Sequence, residues 1–516
     1  MQKYQNEGSL GKLVQAISIR NFLPLIGSLL ARFNFGMIFI WGNISTYVVS
    51  FINWEEQSKD DRTSIDEALI GLPISLVFMT VGLQISSHSS FKSKQQLLYL
   101  IGYLAFILGN FIAFRNTLGD TLSSFSAFLI PSSIISPLGI GLAYNGAQAI
   151  SIKHFPKQQS LVSTLHLLAF GLGTCFWSLY STIIMVNPEN VDPKATLQMH
   201  EGQQVHGLFS DYSEEQKIYS NVSHLFDGLI KFWTVSAAIS MISIIIPAAK
   251  ANTIINRGSP NLNTRLLTRE HSCDKDNERM NQALFIQALS SSQSMTLVSI
   301  SSLSLVFHYF QMNTFKIFGF MIGHSDHYLT WLGALGALLG TLLRVLQPSY
   351  LPLKNQSILT CLSFVLLAQF TLSLTLTSVA FSQILYLLWN LAGSLCYSAL
   401  FVLVPLLVQR IFGAEIGNKL FGCLYFIFSI VSLLFAYLLD AWLERVGYDM
   451  VMSVASICSL IALVIVRHGG LREEPFQQMA IKRYLSGAEE DRQWGVLEET
   501  QSKASTSYSK VSTRIN

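Results

Sequence analysis

Apolar runs of about twenty residues recur twelve times between residues 22 and 467, separated by polar breaks. A helix needs roughly 20 apolar residues to cross about 30 Å of hydrocarbon, so each run predicts a transmembrane helix. The first six fall at 22–52, 66–87, 96–114, 122–150, 160–185 and 226–248. The second six fall at 294–313, 327–347, 356–375, 380–408, 418–439 and 448–467. The first run is longer than a bilayer requires, which predicts a tilted helix or one that projects beyond the membrane. The longest interior polar break, 249–293, lies in the middle. The expected organisation is therefore a cytosolic N-terminus (1–20), an N-terminal six-helix bundle (21–248), a cytosolic linker (249–293), a C-terminal six-helix bundle (294–467) and a disordered cytosolic tail (468–516). The fold class is an all-α membrane protein, twelve transmembrane helices in two six-helix bundles.

Basic residues set the expected orientation. With the N-terminus in the cytosol, the inner loops hold Lys92, Lys94, Lys153, Lys157, Lys354, Arg410 and Lys419. The outer loop 53–65 holds Glu55, Glu56, Asp60 and Asp61 against Lys59 and Arg62, and the outer loop 186–225 is acidic on balance. Both termini then lie inside, as an even number of spans requires. The linker carries Lys250, Arg257, Arg265, Arg269, Lys275 and Arg279, and its Pro, Asn and Ser content predicts a flexible tether or a short surface helix. Asn221-Val-Ser223 is a glycosylation sequon expected in an outer loop, whereas Asn355-Gln-Ser357 would face the cytosol and stay bare. The Ser/Thr-rich tail contains Tyr508-Ser-Lys-Val511, similar to a tyrosine sorting signal. The chain is polar to about Arg20, so no cleavable signal peptide is expected and the first span would target the protein to a plasma membrane or an endomembrane.

Composition agrees with a lipid-facing surface. Of 516 residues, 50% are hydrophobic and 13% charged, against about 25% charged in soluble domains. A net charge of +3 is too small to suggest nucleic acid. Five of the six cysteines (Cys175, Cys361, Cys396, Cys423 and Cys458) lie in apolar runs, and none of the six, Cys273 included, has a CxxC partner. They read as packing residues rather than metal ligands or a disulfide framework. HExxH, GxSxG, phosphate-loop and zinc-spaced patterns are absent from the sequence, so neither an enzyme nor a cofactor is expected.

The stretch 139–173 reads Gly139-x-Gly141-x-x-Tyr144, then Lys153-His-Phe155-Pro156-Lys157, then Phe170-Gly171-x-Gly173. It resembles the fourth and fifth helices of oxalate/formate antiporter-like and monocarboxylate-porter members of the major facilitator superfamily. Phe412-Gly413 and Phe421-Gly422 resemble the tenth-to-eleventh connection of the same family, and Gly36 with Trp41-Gly42 fits its first helix. Lys153-His-Phe155 and Arg410-Ile-Phe412 end the fourth helix of each half, where a parallel repeat would place them. The resemblance implies the major facilitator fold and matches Arg344 to the family's eighth-helix arginine. The departures are specific: Gly340 stands where monocarboxylate porters place an acid, Asn43 falls near their first-helix lysine, and Phe428 near the eleventh-helix basic residue of oxalate carriers. The Asp of the loop between helices two and three is also missing, where Gln84, Ser86 and His88 follow Gly82. Neither oxalate exchange nor proton–lactate symport carries over intact.

Charges inside the bilayer are rare because each costs roughly 2.5–3.5 kcal/mol on insertion scales. Arg32 in the first predicted span and Arg344 in the eighth are the basic residues of interest, and no Asp or Glu falls mid-span. An arginine without a fixed carboxylate suits a substrate carboxylate, which it can grip with two parallel hydrogen bonds; the competing reading is snorkelling to the headgroups. Trp41, Asn43, Tyr144, Asn145, Gln148, Trp389 and Asn390 are further substrate-binding candidates, with helix–helix packing as their alternative. His166 and His308 are proton-coupling candidates, with simple packing as theirs. The expected function is a secondary active or facilitative transporter of a small, monocarboxylate-like organic anion, working by alternating access, as a monomer or with an accessory subunit. The same fold moving an amino acid or neutral solute, or acting as a non-transporting sensor, stays open.

Overall fold

The computed structural model describes residues 19–55, 70–88, 91, 94–117, 125–190, 212–255, 283–350, 355–380, 382–469 and 471. Among these residues every regular element is helical. Helix α1 joins Ile19–Phe35, a 3-10 turn at Gly36–Ile40, and Trp41–Glu55. Then come α2 (Gly71–Ser87) and α3 (Gln95–Thr117). Helix α4 runs through Phe125–Ile130, a π turn at Pro131–Ile135, and Ser136–His154. Helix α5 is Gln159–Leu179 with a π-helical end at Tyr180–Val186, and α6 is Tyr212–Ile255. The second half has α7 (Ser292–Met321), α8 (Asp326–Tyr350), α9 (Asn355–Ala380) and α10 (Gln383–Phe412). The stretch Ala414–His468 bends at Gly447 (φ 72°), which separates α11, with its span at Ile416–Leu438, from α12, with its span at Gly447–His468. Eleven of these helices are long and apolar enough to cross a membrane, and the seventeen-residue apolar α2 is the twelfth. The protein is a multi-pass integral membrane protein. Side chains such as Phe364, Val235 and Ile384, more than half exposed, point outward where lipid tails solvate them at no cost.

Several span limits move. The seventh run was expected at 294–313, but α7 continues to Met321 and takes Lys316 into the helix. Counting apolar residues stops at Asn313 and Lys316, whereas the folded chain neutralises Lys316 inside the protein and the helix goes on. Helix α6 extends past the expected 226–248 on both sides, so the linker starts within helix. Residues 283–289 form a short helix that buries Leu284 and Ala288 against the second half, so the end of the linker is docked rather than free.

Local breaks have visible causes. At the 3-10 turn in α1, Gly36 lies so close to the backbone of Phe170 and Thr174 that a Cβ would collide with it. The Thr174 hydroxyl donates to the Gly36 carbonyl at 2.9 Å, satisfying an acceptor that the turn exposes. The two halves meet along three lines, α1 on α7, α5 on α8, and α2 on α11. Each line has a glycine where a Cβ would collide with the other half: Gly42 beneath the Met312 carbonyl, Gly171 against Thr341, and Gly422 against Gln84.

Candidate functional site

A cavity of about 100 Å³ lies between the halves. One water needs roughly 10–15 Å³ by the same measure, so this one holds a solute of several heavy atoms. The first half contributes Phe39 and Asn43 from α1 and Phe170, Gly171, Thr174 and Ser178 from α5. The second half contributes Gln311, Met312 and Phe315 from α7, Gly333, Gly336, Ala337, Thr341 and Arg344 from α8, and Asn390, Ser394, Tyr397 and Ser398 from α10. The α8 and α10 residues recur every three or four positions, one face of each helix. Gly336 and Gly340 abut the hydroxyls of Ser394 and Ser398, so α8 and α10 approach closely along the cavity wall.

Arg344 is the cationic group in this lining. Its guanidinium carbon stands 5.5 Å from the Tyr397 ring centroid and 5.2 Å from that of Phe401. Both aromatic faces attract a cation but leave the donors free to bond outward. Its Nε is buried without an acceptor, and no carboxylate pairs with it among the described residues. Beside it in the lining, Gln311 donates to the Asn390 carbonyl at 2.8 Å and to the Asn390 side chain at 2.9 Å, leaving the Asn390 amide nitrogen without an acceptor at 4% exposure.

Of the sequence candidates, Arg344, Asn43 and Asn390 line this cavity. Arg32 does not. It is 1% exposed, packs over the Tyr144 ring at 3.1 Å, and donates to the Tyr144 carbonyl at 2.8 Å and to Gln148 Oε1 at 3.2 Å. The α4 groups thus hold Arg32 inside the first bundle. Asn145 donates to Ser86 and Ser87 and ties α4 to α2. Trp41 stacks on Phe128 and borders a separate cavity of about 40 Å³ within the first bundle, together with Ser75 and Asn110. Trp389 donates to the Leu372 carbonyl at 2.8 Å and stacks on Tyr386. His166 lies 3.2 Å from Ser151 Oγ and is buried, as is His308, which bonds Gln369 and packs beside Tyr397. Asn221 is corrected: it lies within α6 rather than in a loop, and its amide donates to the Val186 carbonyl at 3.2 Å. Cys273, the tetrapeptide Tyr508–Val511 and the linker residues Arg257, Arg265, Arg269, Lys275 and Arg279 lie outside the described residues.

The sequence reading missed Lys316, a cation buried inside α7. Lys316 Nζ lies 2.8 Å from Asp326 Oδ1, and both side chains are fully buried. The same ammonium donates to Asn43 Oδ1 at 2.7 Å and to Tyr47 Oη at 2.8 Å. Asp326 Oδ2 accepts from Tyr47 at 2.5 Å and from Asn187 at 2.6 Å. The available signal was the apolar pattern resuming after Lys316 as Ile317-Phe-Gly-Phe-Met321, which marks the lysine as interior to a helix.

Comparison with known proteins gives the architecture a context. A D-xylose–proton symporter superposes with a TM-score of 0.56 at 13% identity, over 88% of this chain and 97% of that one. A bacterial homologue of the human drug–peptide transporters gives 0.53 at 11% identity, over 89% and 99%. The inward-open xylose transporter of E. coli gives 0.54 at 12%, over 89% and 98%. The chain has the major facilitator fold. Among curated sequences, the apicoplast pyruvate carrier 1 of Toxoplasma gondii is 21% identical across 86% of this chain and 87% of its own. No protein-family model matches. The cavity lies between the two helical halves of this fold.

Proposed function

We propose that this protein is a transporter that carries a small organic anion of monocarboxylate type by alternating access. The observation that carries the reading is Arg344, a cation on the wall of the inter-bundle cavity whose Nε lacks an acceptor and which has no carboxylate partner among the described residues. A carboxylate would accept its fork of N–H donors while Tyr397 and Phe401 keep the guanidinium in place. The weak likeness to a protein described as a pyruvate carrier favours the same substrate class. We further read the N-terminus, linker and tail as cytosolic, from the distribution of basic residues.

The test is uptake into proteoliposomes with a panel of labelled monocarboxylates, an amino acid and a neutral sugar. The reading expects saturable uptake of at least one acid, sensitive to replacement of Arg344. Uptake of only the sugar or amino acid would overturn the substrate class, and binding without any uptake would overturn transport.

A further inference from the structure

Helix α6 turns a charged pair outward. Lys231 Nζ donates to Asp227 Oδ2 at 2.5 Å, and the two side chains are 73% and 42% exposed. Lys231, Thr234 and Ala238, all exposed, follow Asp227 at spacings of four, three and four, which is one face of the helix. Val235, Ile239 and Ile242 flank this stripe, apolar and more than half or about half exposed, so the surroundings are those of a lipid-facing surface.

Depth decides what the pair means. The apolar span of α6, Asn221–Ile244, is 24 residues long, and Lys231 stands next to its middle. Neighbouring helices give the same level. Trp233 packs on Phe106, the middle residue of the 23-residue α3, with ring centroids 5.1 Å apart. Phe232 packs on Trp177, well before α5 ends at Val186, also at 5.1 Å. Half of the hydrocarbon core is about 15 Å thick, and a four-carbon stem is too short to carry the ammonium from this level to the headgroups. Asp227, which the sequence put at the edge of the span 226–248, also lies inside the span that the structure shows. An ammonium has three N–H donors and a carboxylate accepts from several directions. Among the described residues each has the other as its one partner, and lipid tails offer none.

A second copy of the chain supplies what is missing. All copies insert in one orientation, so a closed pair is related by a two-fold axis along the membrane normal. That axis sets α6 beside its symmetry mate, parallel and level. A lysine side chain on a helix leans back toward the N-terminus, so each Lys231 arrives at the level of the partner's Asp227. The stripe is complementary to itself: each ammonium gains a second carboxylate, each carboxylate a second cation, and the four charges cancel. Thr234 and Ala238 are small enough to let the two helices approach closely.

We propose that the protein forms a symmetric homodimer in the membrane through the Asp227–Lys231–Thr234–Ala238 face of α6, with Lys231 of each copy bound to both Asp227 carboxylates. The proposal is independent of the substrate.

The test uses the full chain in its membrane, with native cysteines replaced. Ala238→Cys should be oxidised by copper–phenanthroline to a disulfide-linked dimer, whereas Ile384→Cys, exposed on the second half, should stay monomeric. In the Ala238→Cys background, Lys231→Asp gathers four carboxylates and Asp227→Lys four ammoniums, so each variant alone should lose the cross-link. Co-expressed with different affinity tags, the two variants should co-purify and regain it, because one chain then brings the acids and the other the cations. Pairing within a single chain cannot produce that rescue. A monomer from Ala238→Cys, a cross-link to a different protein, a cross-link that survives in either charge variant, or co-expression without rescue would each overturn the proposal. Should a charge variant fail to accumulate, Ala238→Cys decides by itself, since it keeps both native charges.

Discussion

At the scale of single residues, two buried cations and one half-buried cation meet three fates. Arg32 gives one terminal nitrogen to a carbonyl and an amide oxygen of α4, Lys316 is neutralised by Asp326, and Arg344 faces the cavity between the halves. Removing one partner of a buried pair costs about 3–5 kcal/mol because the other charge is stranded. Lys316→Met alone should therefore lower the thermal unfolding midpoint sharply in detergent, and adding Asp326→Asn should recover much of the loss. At Arg344, a charged hydrogen bond contributes roughly 1.5–3 kcal/mol, so Arg344→Gln should raise the apparent KM for the anion by about tenfold to a hundredfold. Arg344→Lys keeps the charge but loses the planar fork, and should fall between the two in transport kinetics at equal surface expression. The sequence announced Arg32 and Arg344 because each interrupts an apolar run. It could not distinguish their roles, since what separates them is whether Tyr144 and Gln148 on another helix supply acceptors. Lys316 was hidden because its partner lies across a turn and its contacts with α1 are 269 and 273 residues away.

At the scale of elements, helix existence was readable and helix limits were not. All twelve apolar runs correspond to helices, because lipid leaves the backbone no other local solution. The limits depended on tertiary neutralisation, as at α7, or on docking, as at residues 283–289. The breaks are tertiary too. Thr174→Val should expose the Gly36 carbonyl in the 3-10 turn of α1 and cost about 1 kcal/mol, seen as a modest fall in thermal stability. Gly42 has a larger role, since any Cβ meets the Met312 carbonyl of α7. Gly42→Leu should leave each bundle folded but prevent α1 from seating on α7. The expected result is a longer distance between spin labels at the exposed positions Ile184→Cys and Ile384→Cys, one on each half, with helical content unchanged by circular dichroism.

At the scale of the whole molecule, the two bundles enclose a cavity between them, and the ties described between them are polar at the α7–α8 end and include small-residue contacts elsewhere. Six spans, a linker and six spans predicted that arrangement, whereas the pairing of α1 with α7 and α5 with α8 depended on three-dimensional packing. The charge bias gives a checkable topology: a tag inserted at Ser259 should be reachable only after permeabilisation, and one at Gln204 from outside without it. The central claim is that an anionic solute crosses the membrane by way of Arg344. The most direct measurement is uptake of labelled pyruvate and related monocarboxylates by proteoliposomes containing the full chain, beside Arg344→Gln at equal protein content. The account predicts saturable uptake of an acid that the variant loses while its thermal stability stays close to that of the native sequence. Equal uptake by both proteins would contradict it.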